Sequence, residues 1–367
     1  MSFPSATGLY WVEVHHTDLG GVLVNTLSGQ RPVEEAETEM PADAFVRRAA
    51  QFRPELLAHC YRMLGSVQDA EDLVQETYLR AWRAYDGFEG RSSLRFWLYR
   101  IATSACLTAL DHHSRRFVPA GLSTASDDPT GPLNPAGLEI PWVQPLPDIP
   151  PDPAAVVASR GSVRLALIVA LQQLPPKQRV VLILRDVLAW RAAEVAKLLD
   201  TSTAAVNSAL QRARAQLEQI APAEDDISDS LDGENRLLLD RYAKAFENAD
   251  VDALLHLLRE DVRLEMPPEP VWFAGRDVVG RFFGERVFTR SGAQRLVQTT
   301  ANDGQPAMAT YWLGADGRYH AHALQLLTLR GHRVARIIAF RDPSLFPFFG
   351  LPRELHTATP PAPSWSV

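Results

Sequence analysis

Two neighbouring segments, residues 66–83 and 92–116, carry the side chains with the clearest chemistry in this chain. In the first segment, Ser66 stands three residues before Asp69, which is the spacing of a helix N-cap. Helical spacing predicts an apolar face made of Leu73, Val74, Ala81 and Trp82. The opposite face is acidic and polar, with Asp69, Asp72, Gln75, Glu76 and Arg80. Such a face can bind a partner protein, or it can be the solvated side of an ordinary amphipathic helix.

The second segment predicts a basic and aromatic helix. Gly87 and Gly90 interrupt the first helix, and Ser92 or Ser93 can cap the next one. Basic and aromatic residues alternate along it, namely Arg95, Trp97, Tyr99, Arg100, Arg115 and Arg116. Basic side chains neutralise phosphates, and aromatic rings stack on unpaired bases. The pattern therefore indicates either a nucleic-acid-binding helix or a core helix with solvated charges.

Both segments together resemble a known family. The run DAEDLVQETYLRAW, followed by F-x-G-x-S-S-L-R-x-W-L-Y-R-I-A, resembles region 2 of bacterial extracytoplasmic-function (ECF) sigma factors of the sigma-70 family. The resemblance implies that the acidic helix binds the beta-prime clamp of core RNA polymerase, through Asp69, Asp72, Leu73, Gln75, Glu76 and Arg80. It also implies that the next helix melts and reads the −10 promoter element, through Arg95, Trp97, Arg100, Thr103, Ser104, Arg115 and Arg116. Phe96 and Ser104 depart from the residues usual in the family, Thr and Asn, which alters the expected −10 sequence.

A helix-turn-helix pattern lies further along the chain. Val195, Ala196 and Leu199 face inward on a short helix, Asp200-Thr201-Ser202 forms a turn, and a second helix starts at Thr203. This second helix buries Val206, Leu210, Ala213 and Leu217 and shows Thr203, Asn207 and Gln211 on its opposite face. Asn and Gln can pair with adenine, and Arg with guanine or phosphate. A plain helical bundle is the alternative.

The helix-turn-helix pattern resembles sigma region 4. The resemblance implies that this domain reads the −35 element and contacts the beta flap of the polymerase. The −35 candidates are Thr203, Asn207, Ser208, Gln211, Arg212 and Arg214. Asp200 stands where relatives commonly have Gly, in a turn that favours a left-handed backbone.

The last third of the chain changes character. Helices within residues 237–258 precede five strand-like runs, at 262–266, 294–301, 306–313, 319–329 and 334–340. Helices followed by antiparallel strands predict an α+β domain. The strings E-D-V-R-L-E-M-P and W-F-x-G-R-x-x-V resemble the SnoaL-like group of the cone-shaped NTF2-like fold. That fold encloses a pocket, so a small ligand is one expected partner.

Four residues of this domain are candidates for acid–base chemistry: Glu265, His320, His322 and Asp342. Strand alternation places His320 and His322 on one face, either lining the pocket or facing solvent. Catalysis, ligand sensing and a purely regulatory docking role all remain open at this point. Spacing suggests no third ligand for a metal beside the histidines.

Composition narrows the class of protein. The net charge of −7 argues against a generally basic nucleic-acid binder, so local patches must supply any DNA contact. The two cysteines, Cys60 and Cys106, fall inside helical patterns and are expected to be buried. We predict no metal and no cofactor. No membrane span or signal peptide is recognisable, and we expect a cytoplasmic protein.

The predicted architecture is multidomain, with two all-α sigma domains and one α+β cone. We expect a flexible N-terminal extension (1–42), region 2 (43–117), a Pro-rich linker (118–153), region 4 (154–221), a second linker (222–233), the SnoaL-like domain (234–351) and a tail (352–367). In the linker, Trp142 and Leu146, together with Val143 and Ile149, are the large apolar groups that could dock elsewhere.

The order of domains resembles the sigma-G/sigma-J type of ECF factor. It implies a non-enzymatic alternative sigma factor whose cone domain regulates activity and whose partners are core RNA polymerase and promoter DNA. The alternative is a SnoaL-type cyclase or isomerase, or a ligand sensor, fused to a DNA-binding module.

Overall fold

The computed structural model describes residues 41–88, 90, 92–112, 115–133, 140–148, 164–220 and 233–356. The predicted N-terminal extension up to residue 40, parts of the Pro-rich linker, nearly all of the second linker and the tail beyond residue 356 lie outside these residues.

Four helices form the first helical domain, which spans residues 41–112. They are α1 (Pro41–Ala50), α2 (Arg53–Leu64), α3 (Val67–Arg83) and α4 (Leu94–His112). Gly65 adopts a left-handed φ of +71° and ends α2, which lets the chain turn at once into α3. Cys60 and Cys106 are buried free thiols, which confirms their prediction as core residues. Ser93 starts α4, because its hydroxyl accepts the Phe96 N–H at 3.1 Å.

The second helical domain, residues 164–220, contains the helix-turn-helix. Its helices are α5 (Leu165–Leu171), α6 (Pro176–Leu182), α7 (Ala192–Leu198) and α8 (Thr203–Ile220), with a wider π-type turn (Ile183–Val187) extending α6. Asp200 adopts a left-handed φ of +50° in the turn between α7 and α8. Val206, Leu210 and Ala213 are buried, as their helical spacing predicts.

The cone domain, residues 233–355, is an α+β unit. Its helices are α9 (Gly233–Asn248), α10 (Val251–Leu257) and α11 (Arg276–Phe282). Its strands are β1 (Leu258–Glu265), β2 (Trp272–Ala274), β3 (Gln294–Ala301), β4 (Gln305–Leu313), β5 (Tyr319–Arg330), β6 (Arg333–Phe340) and β7 (Glu354–Leu355). They form one sheet in the order β2-β1-β6-β5-β4-β3, with β7 paired to β5.

One strand pair differs from the sequence expectation. We expected antiparallel strands, but β1 pairs with β6 in parallel, through Leu264 and Ile337. The two strands are separated by the rest of the sheet in sequence, so no hairpin forces them to run in opposite directions. The multidomain α plus α+β fold class is confirmed.

The Pro-rich linker is docked on its neighbours. Val143 and Leu146 are buried, and the Leu146 N–H donates to the Asn302 side-chain oxygen at 3.1 Å. The Asn302 amide in turn donates to the Tyr61 hydroxyl of α2 at 2.8 Å. This part of the linker therefore lies between the first helical domain and the cone domain and bonds to both.

Two hydrophobic clusters divide the interior. One joins both helical domains and continues onto one face of the sheet, at Tyr311 and Leu324, and onto Phe346 in the segment after β6. The other fills the space between the opposite face of the sheet and α9 to α11. Because a single cluster crosses the domain boundaries, the domains pack on one another through apolar contacts. Among the described residues, no helix is long and apolar enough to cross a membrane.

Candidate nucleic-acid and protein interface

Helix α3 carries the predicted acidic face. Ser66 caps it as predicted, since its hydroxyl oxygen accepts the Asp69 N–H at 3.1 Å. Val74 and Ala81 are buried and fix the orientation of the helix. Four candidates for polymerase binding lie on the outer side, with Asp72, Gln75 and Arg80 exposed and Glu76 half-buried. The Arg80 Nε donates to the Glu76 carboxylate at 2.7 Å, so these two charges hold each other on the helix surface.

The remaining two candidates of this face are less accessible. The Arg116 guanidinium donates to the Asp69 carboxylate, which joins a predicted polymerase contact to a predicted −10 contact. Leu73 is partly buried and lines a shallow depression with Asp72, Arg116 and Gln172. In this arrangement Asp69 serves as a partner of Arg116.

Two large apolar side chains accompany the acidic face. Trp82 was expected on the apolar side of α3, but its ring is 52% exposed. Leu79 is 48% exposed and was not singled out from the sequence. Gln75, Leu79 and Trp82 follow one another at i, i+4 and i+7, so helical spacing could have indicated that they share one outer stripe. Exposed apolar groups beside charges are common where a protein binds a partner.

The start of α4 is tied to the first helical domain. The Arg95 guanidinium forms a two-pronged ion pair with Glu55, at 2.8 Å from Nε and 2.6 Å from Nη2 to the same carboxylate oxygen. Burial and the Glu55 carboxylate raise the pKa of Tyr99, whose buried hydroxyl donates to Glu55 at 3.2 Å. Tyr99, noted in the sequence as a ring able to stack on bases, is thus an internal residue.

Two further −10 candidates have structural partners. Thr103 is buried, and its hydroxyl lies 3.0 Å from the Nε2 of His59. Burial, together with Arg62, lowers the pKa of His59 to about 3, so this imidazole is neutral at pH 7. Trp97 is partly buried and stacks on Phe88, with ring centroids 4.8 Å apart. Thr103 cannot touch DNA from inside the bundle.

The other −10 candidates lie at the surface. Arg100 and Ser104 are exposed along α4, and Arg115 is exposed beyond its end. The Arg115 guanidinium lies 5.3 Å over the Phe117 ring, and Arg116 donates to the Trp142 carbonyl at 2.9 Å. Among the described −10 candidates, the most accessible positive charges are therefore Arg100 on α4 and Arg115 beyond its end.

The second helical domain covers the start of α4. The Trp190 ring stacks on Phe96 at 5.5 Å and lies 5.2 Å from the Tyr99 ring. The Lys197 ammonium lies 5.7 Å from the Phe96 ring centroid, and Arg95 lies at the same distance over Trp190. The side of α4 that carries Arg95 and Phe96 is thus an interdomain contact.

A buried arginine completes the contact between the two helical domains. Arg179 of α6 donates to the Met63 carbonyl of α2 and, at 2.8 Å, to the Gln172 side-chain oxygen. Burial lowers the pKa of Arg179 to about 10, which still leaves it charged at pH 7. Sequence reasoning missed this residue, since an arginine in an amphipathic helix usually reaches solvent.

The −35 candidates remain accessible. The side chains of Thr203, Asn207, Ser208, Gln211, Arg212 and Arg214 are all exposed along α8. Arg212 donates to the Ser208 hydroxyl at 2.6 Å on the same surface. Arg214 instead pairs with Asp186 of the same domain, at 2.7 and 2.8 Å. Arg212 is therefore better placed than Arg214 to meet a phosphate or a base.

Of the four acid–base candidates in the cone domain, only His322 lines its cavity. His320 is near the surface and bonds to Asp316 at 3.0 Å. Glu265 is fully buried, pairs with Arg336 at 2.6 Å and accepts the Ala120 N–H of the linker at 3.0 Å. Asp342 caps a short 3₁₀ turn (Pro343–Phe349) by accepting the Ser344 N–H.

The two histidines separate along β5. The pairing register between β4 and β5 slips by one residue, so that Thr310 faces Ala323 whereas Tyr311 faces Ala321. His322 and Ala323 consequently both line the cavity, while His320 lies towards the exposed end of the strand. In the described residues, no group of three or more His, Cys, Asp or Glu side chains could hold a metal ion.

Comparisons with known proteins agree with this domain order. Residues 49–116 match Sigma-70 region 2, residues 164–217 match Sigma-70 region 4, and residues 239–337 match the SnoaL-like domain. The ECF RNA polymerase sigma factor SigG of Mycobacterium tuberculosis is 48% identical over 333 residues, which cover 89% of this chain and 88% of that relative. The ECF sigma factor SigJ of the same organism is 30% identical over 308 residues, covering 80% and 90%.

A solved structure extends the likeness to three dimensions. The crystal structure of the extracytoplasmic-function sigma factor SigJ from M. tuberculosis superposes with a TM-score of 0.53 at 25% identity. The match covers 84% of this chain and 100% of that one. The resemblance to sigma factors of the G and J type is confirmed. The chain belongs to the ECF RNA polymerase sigma factors, which initiate transcription and are not enzymes.

Proposed function

We propose that this sigma factor binds core RNA polymerase through the outer stripe of α3. The supporting observation is the combination of exposed Asp72 and Gln75 with the exposed apolar side chains Leu79 and Trp82. The expected target is the beta-prime clamp, with Glu76 and Arg80 at the edge of the contact. Asp69 and Leu73 join the contact only if Arg116 releases the carboxylate. A partner of the polymerase and of chromosomal DNA works in the cytoplasm.

Promoter reading is assigned to two helices. Helix α8 reads the −35 element through its exposed row, Thr203, Asn207 and Gln211, with Arg212 on a phosphate or a guanine. The beta flap is the expected polymerase partner of the same domain. Helix α4 reads and melts the −10 element, with Arg100 and Arg115 as its accessible charges.

The free protein is proposed to be a closed form of the factor. The observation that carries this proposal is the contact of Trp190 with Phe96 and Tyr99, which occupies the start of the −10 helix. Arg179 adds a buried, charged contact to Met63 across the same pair of domains. Since this contact occupies the start of the helix that reads the −10 element, Trp190 has to move away from α4 when the promoter is bound.

The cone domain is proposed to regulate this opening. Gln68 of α3 donates to Ser344 at 2.8 Å, and Asn302 joins Tyr61 to the linker. These bonds connect the cone domain to α3, which carries the polymerase-binding stripe, and to its neighbour α2. A small ligand in the cavity of the cone domain is a further proposed partner.

Run-off transcription with purified core polymerase tests the function. We compare the full chain with a truncation at residue 233 and with Asn302→Gly. Glycine keeps the left-handed φ of +52° at this position but removes the side-chain bonds to Leu146 and Tyr61. The regulatory role requires that both changes alter transcript yield. Wild-type yield and wild-type core affinity for both would exclude control by the cone domain.

Polymerase binding has its own test. The double charge reversal Asp72→Lys/Glu76→Lys should weaken capture of core polymerase by about 10-fold or more, because close charge pairs at interfaces contribute several kcal/mol. Asp240→Lys, an exposed aspartate on α9, is the matched control. If the wild type, the double variant and the control capture core polymerase equally well, α3 is not part of the interface.

A further inference from the structure

The cone domain forms a half-open cavity of about 320 Å³ between its helices and its sheet. Phe246, Phe282 and Phe283 supply aromatic walls from the helix side, and Leu264 and Ile337 supply aliphatic walls from the sheet. A volume near 300 Å³ is at the small end of the range of ligand pockets in proteins. The cavity suits a small molecule with one ring.

One buried polar group at the cavity has an unused acceptor. Gln294 lines the cavity and is only 3% exposed. Its side-chain N–H donates to the Val287 carbonyl at 2.9 Å, which fixes the orientation of the amide. The buried Oε1 atom has no hydrogen-bond partner among the described residues. Buried acceptors are nearly always bonded, so this atom points to a ligand that carries a donor.

An aromatic wall stands at the exposed side of the cavity. Trp312 and His322 stack with ring centroids 4.3 Å apart and planes 26° apart, and both line the cavity. Burial, with a contribution from Arg341, lowers the pKa of His322 to about 4, so its ring is neutral at pH 7. A neutral imidazole offers one donor and one acceptor beside a flat stacking surface.

Two guanidinium groups, those of Arg286 and Arg341, line the cavity. Arg341 pairs with Glu269 at 3.0 Å. Arg286 donates to the Gly131 carbonyl at 2.6 Å and to the Thr130 carbonyl. These partners are neutral carbonyl oxygens, and the Asp128 carboxylate that also interacts with Arg286 is exposed to solvent, which screens its charge. A cation at the edge of an apolar cavity favours a ligand with one acidic group.

The linker between the two helical domains closes the same cavity. Leu133 of this linker is one of the lining residues. The preceding segment is bonded to the cone domain, by Ser126 N–H to the Trp272 carbonyl at 2.8 Å and by Trp272 Nε1 to the Ser123 carbonyl at 2.9 Å. Arg281 donates to the Asp127 carbonyl at 3.0 Å. This segment, residues 117–133, follows the −10 helix directly in the chain.

We propose that the cavity binds a small aromatic carboxylic acid with one hydroxyl donor, and that the ligand competes with Leu133. The ring stacks beside Trp312 and His322, the hydroxyl donates to Gln294, and the carboxylate pairs with Arg286. Because Arg286 and Leu133 also hold residues 117–133, a bound ligand loosens this segment. The effect on transcription rests on the proposed control by the cone domain, whereas ligand binding itself does not.

Calorimetric titration of the full chain, without polymerase, tests the binding step. The probe is 4-hydroxyphenylacetate, compared with 4-hydroxyphenylacetamide, which lacks the charge, and 4-methylphenylacetate, which lacks the donor. Each analogue should bind about 10-fold more weakly or worse, since the acetamide loses the charge that pairs with Arg286 and the methyl analogue leaves the Gln294 acceptor unpaired. Gln294→Leu should weaken the probe similarly. Gln298→Leu is the matched control, because Gln298 lies on the same strand but bonds the exposed Asp240 at 2.6 Å.

The predicted loosening of residues 117–133 is tested with Leu133→Ala and with hydrogen exchange. Leu133→Ala should bind the probe several-fold more tightly, and the saturated wild type should exchange amides of residues 117–133 faster. Absence of binding in both wild type and Leu133→Ala would overturn the inference, as would equal affinity for the probe and its two analogues. The analogues keep the test valid if Gln294→Leu fails to fold. If the protein supports normal transcription by the polymerase but binds no probe, this inference is wrong and the proposed function is unaffected.

Discussion

The contact between Phe96 and Trp190 leads to a quantitative prediction for Phe96→Ala. Phe96 is only partly buried on α4, so its loss should leave the first helical domain folded. The stacked ring pair contributes about 0.5–1.5 kcal/mol beyond simple burial. The Lys197 ammonium over the same ring adds about 0.5–1 kcal/mol. The second helical domain should therefore lose about 1–2.5 kcal/mol of its docking free energy.

Native-state hydrogen exchange of the free protein measures this loss. Local opening rates scale with the free energy of opening, so amides of residues 188–199 should exchange roughly 5- to 60-fold faster in Phe96→Ala. Leu79→Ala removes an exposed apolar side chain from α3 of the same domain and should leave exchange at 188–199 unchanged. Unchanged exchange in Phe96→Ala as well would refute the idea that these rings hold the two helical domains together.

Three further predictions concern DNA binding, backbone conformation and pH. Arg212→Ala should weaken binding of a −35 duplex by about 1–3 kcal/mol in a fluorescence-anisotropy titration. Arg214→Ala should weaken it less, because Arg214 is already paired with Asp186. Equal losses of binding free energy in the two variants would contradict this ranking. Asp200→Gly should raise the free energy of unfolding by about 0.5–1 kcal/mol in urea titrations, since glycine adopts the left-handed φ of +50° without strain. A destabilised variant would show that the Asp200 side chain contributes more to stability than relief of this backbone strain does. Burial lowers the pKa of His59 to about 3, so as pH falls through 6.5 the histidine of the unfolded chain takes up a proton before that of the folded protein, and the free energy of unfolding decreases. Between pH 7 and pH 5, the wild type should lose about 1–2 kcal/mol more of this free energy than His59→Gln. Parallel pH profiles of the two proteins would argue against a buried neutral histidine.

The regular elements follow closely from local patterns. The predicted strand over residues 294–301 has the observed bounds, and the strands near 306–313, 319–329 and 334–340 differ from those observed by one residue at an end. The start of α8 at Thr203 and the cap at Ser66 were also predicted. These features depend on side-chain alternation, helical spacing and capping groups, which act between residues close in sequence.

Contacts between distant segments were beyond local patterns. Trp82 was expected inside, but within the part of the chain that the structure describes its side chain is left exposed. Helical spacing alone does not show which elements pack against a helix. Thr103 and Arg95 were read as DNA contacts, although His59 and Glu55 from α2 occupy their polar atoms. Arg179 has an unremarkable place in its helix, and only the approach of α2 explains its burial.

The sequence by itself determined the family, the three domains and most of their secondary structure. Motif spacing and hydrophobic periodicity depend only on residues close together in the sequence, so they can be recognised without the folded structure. Only the tertiary structure decided which charges are available. It paired Asp69 with Arg116, placed Trp190 on Phe96 and brought Leu133 to the cavity of the cone domain. The physical reason is that burial and ion pairing depend on which surfaces meet, and residues far apart in the sequence make those surfaces.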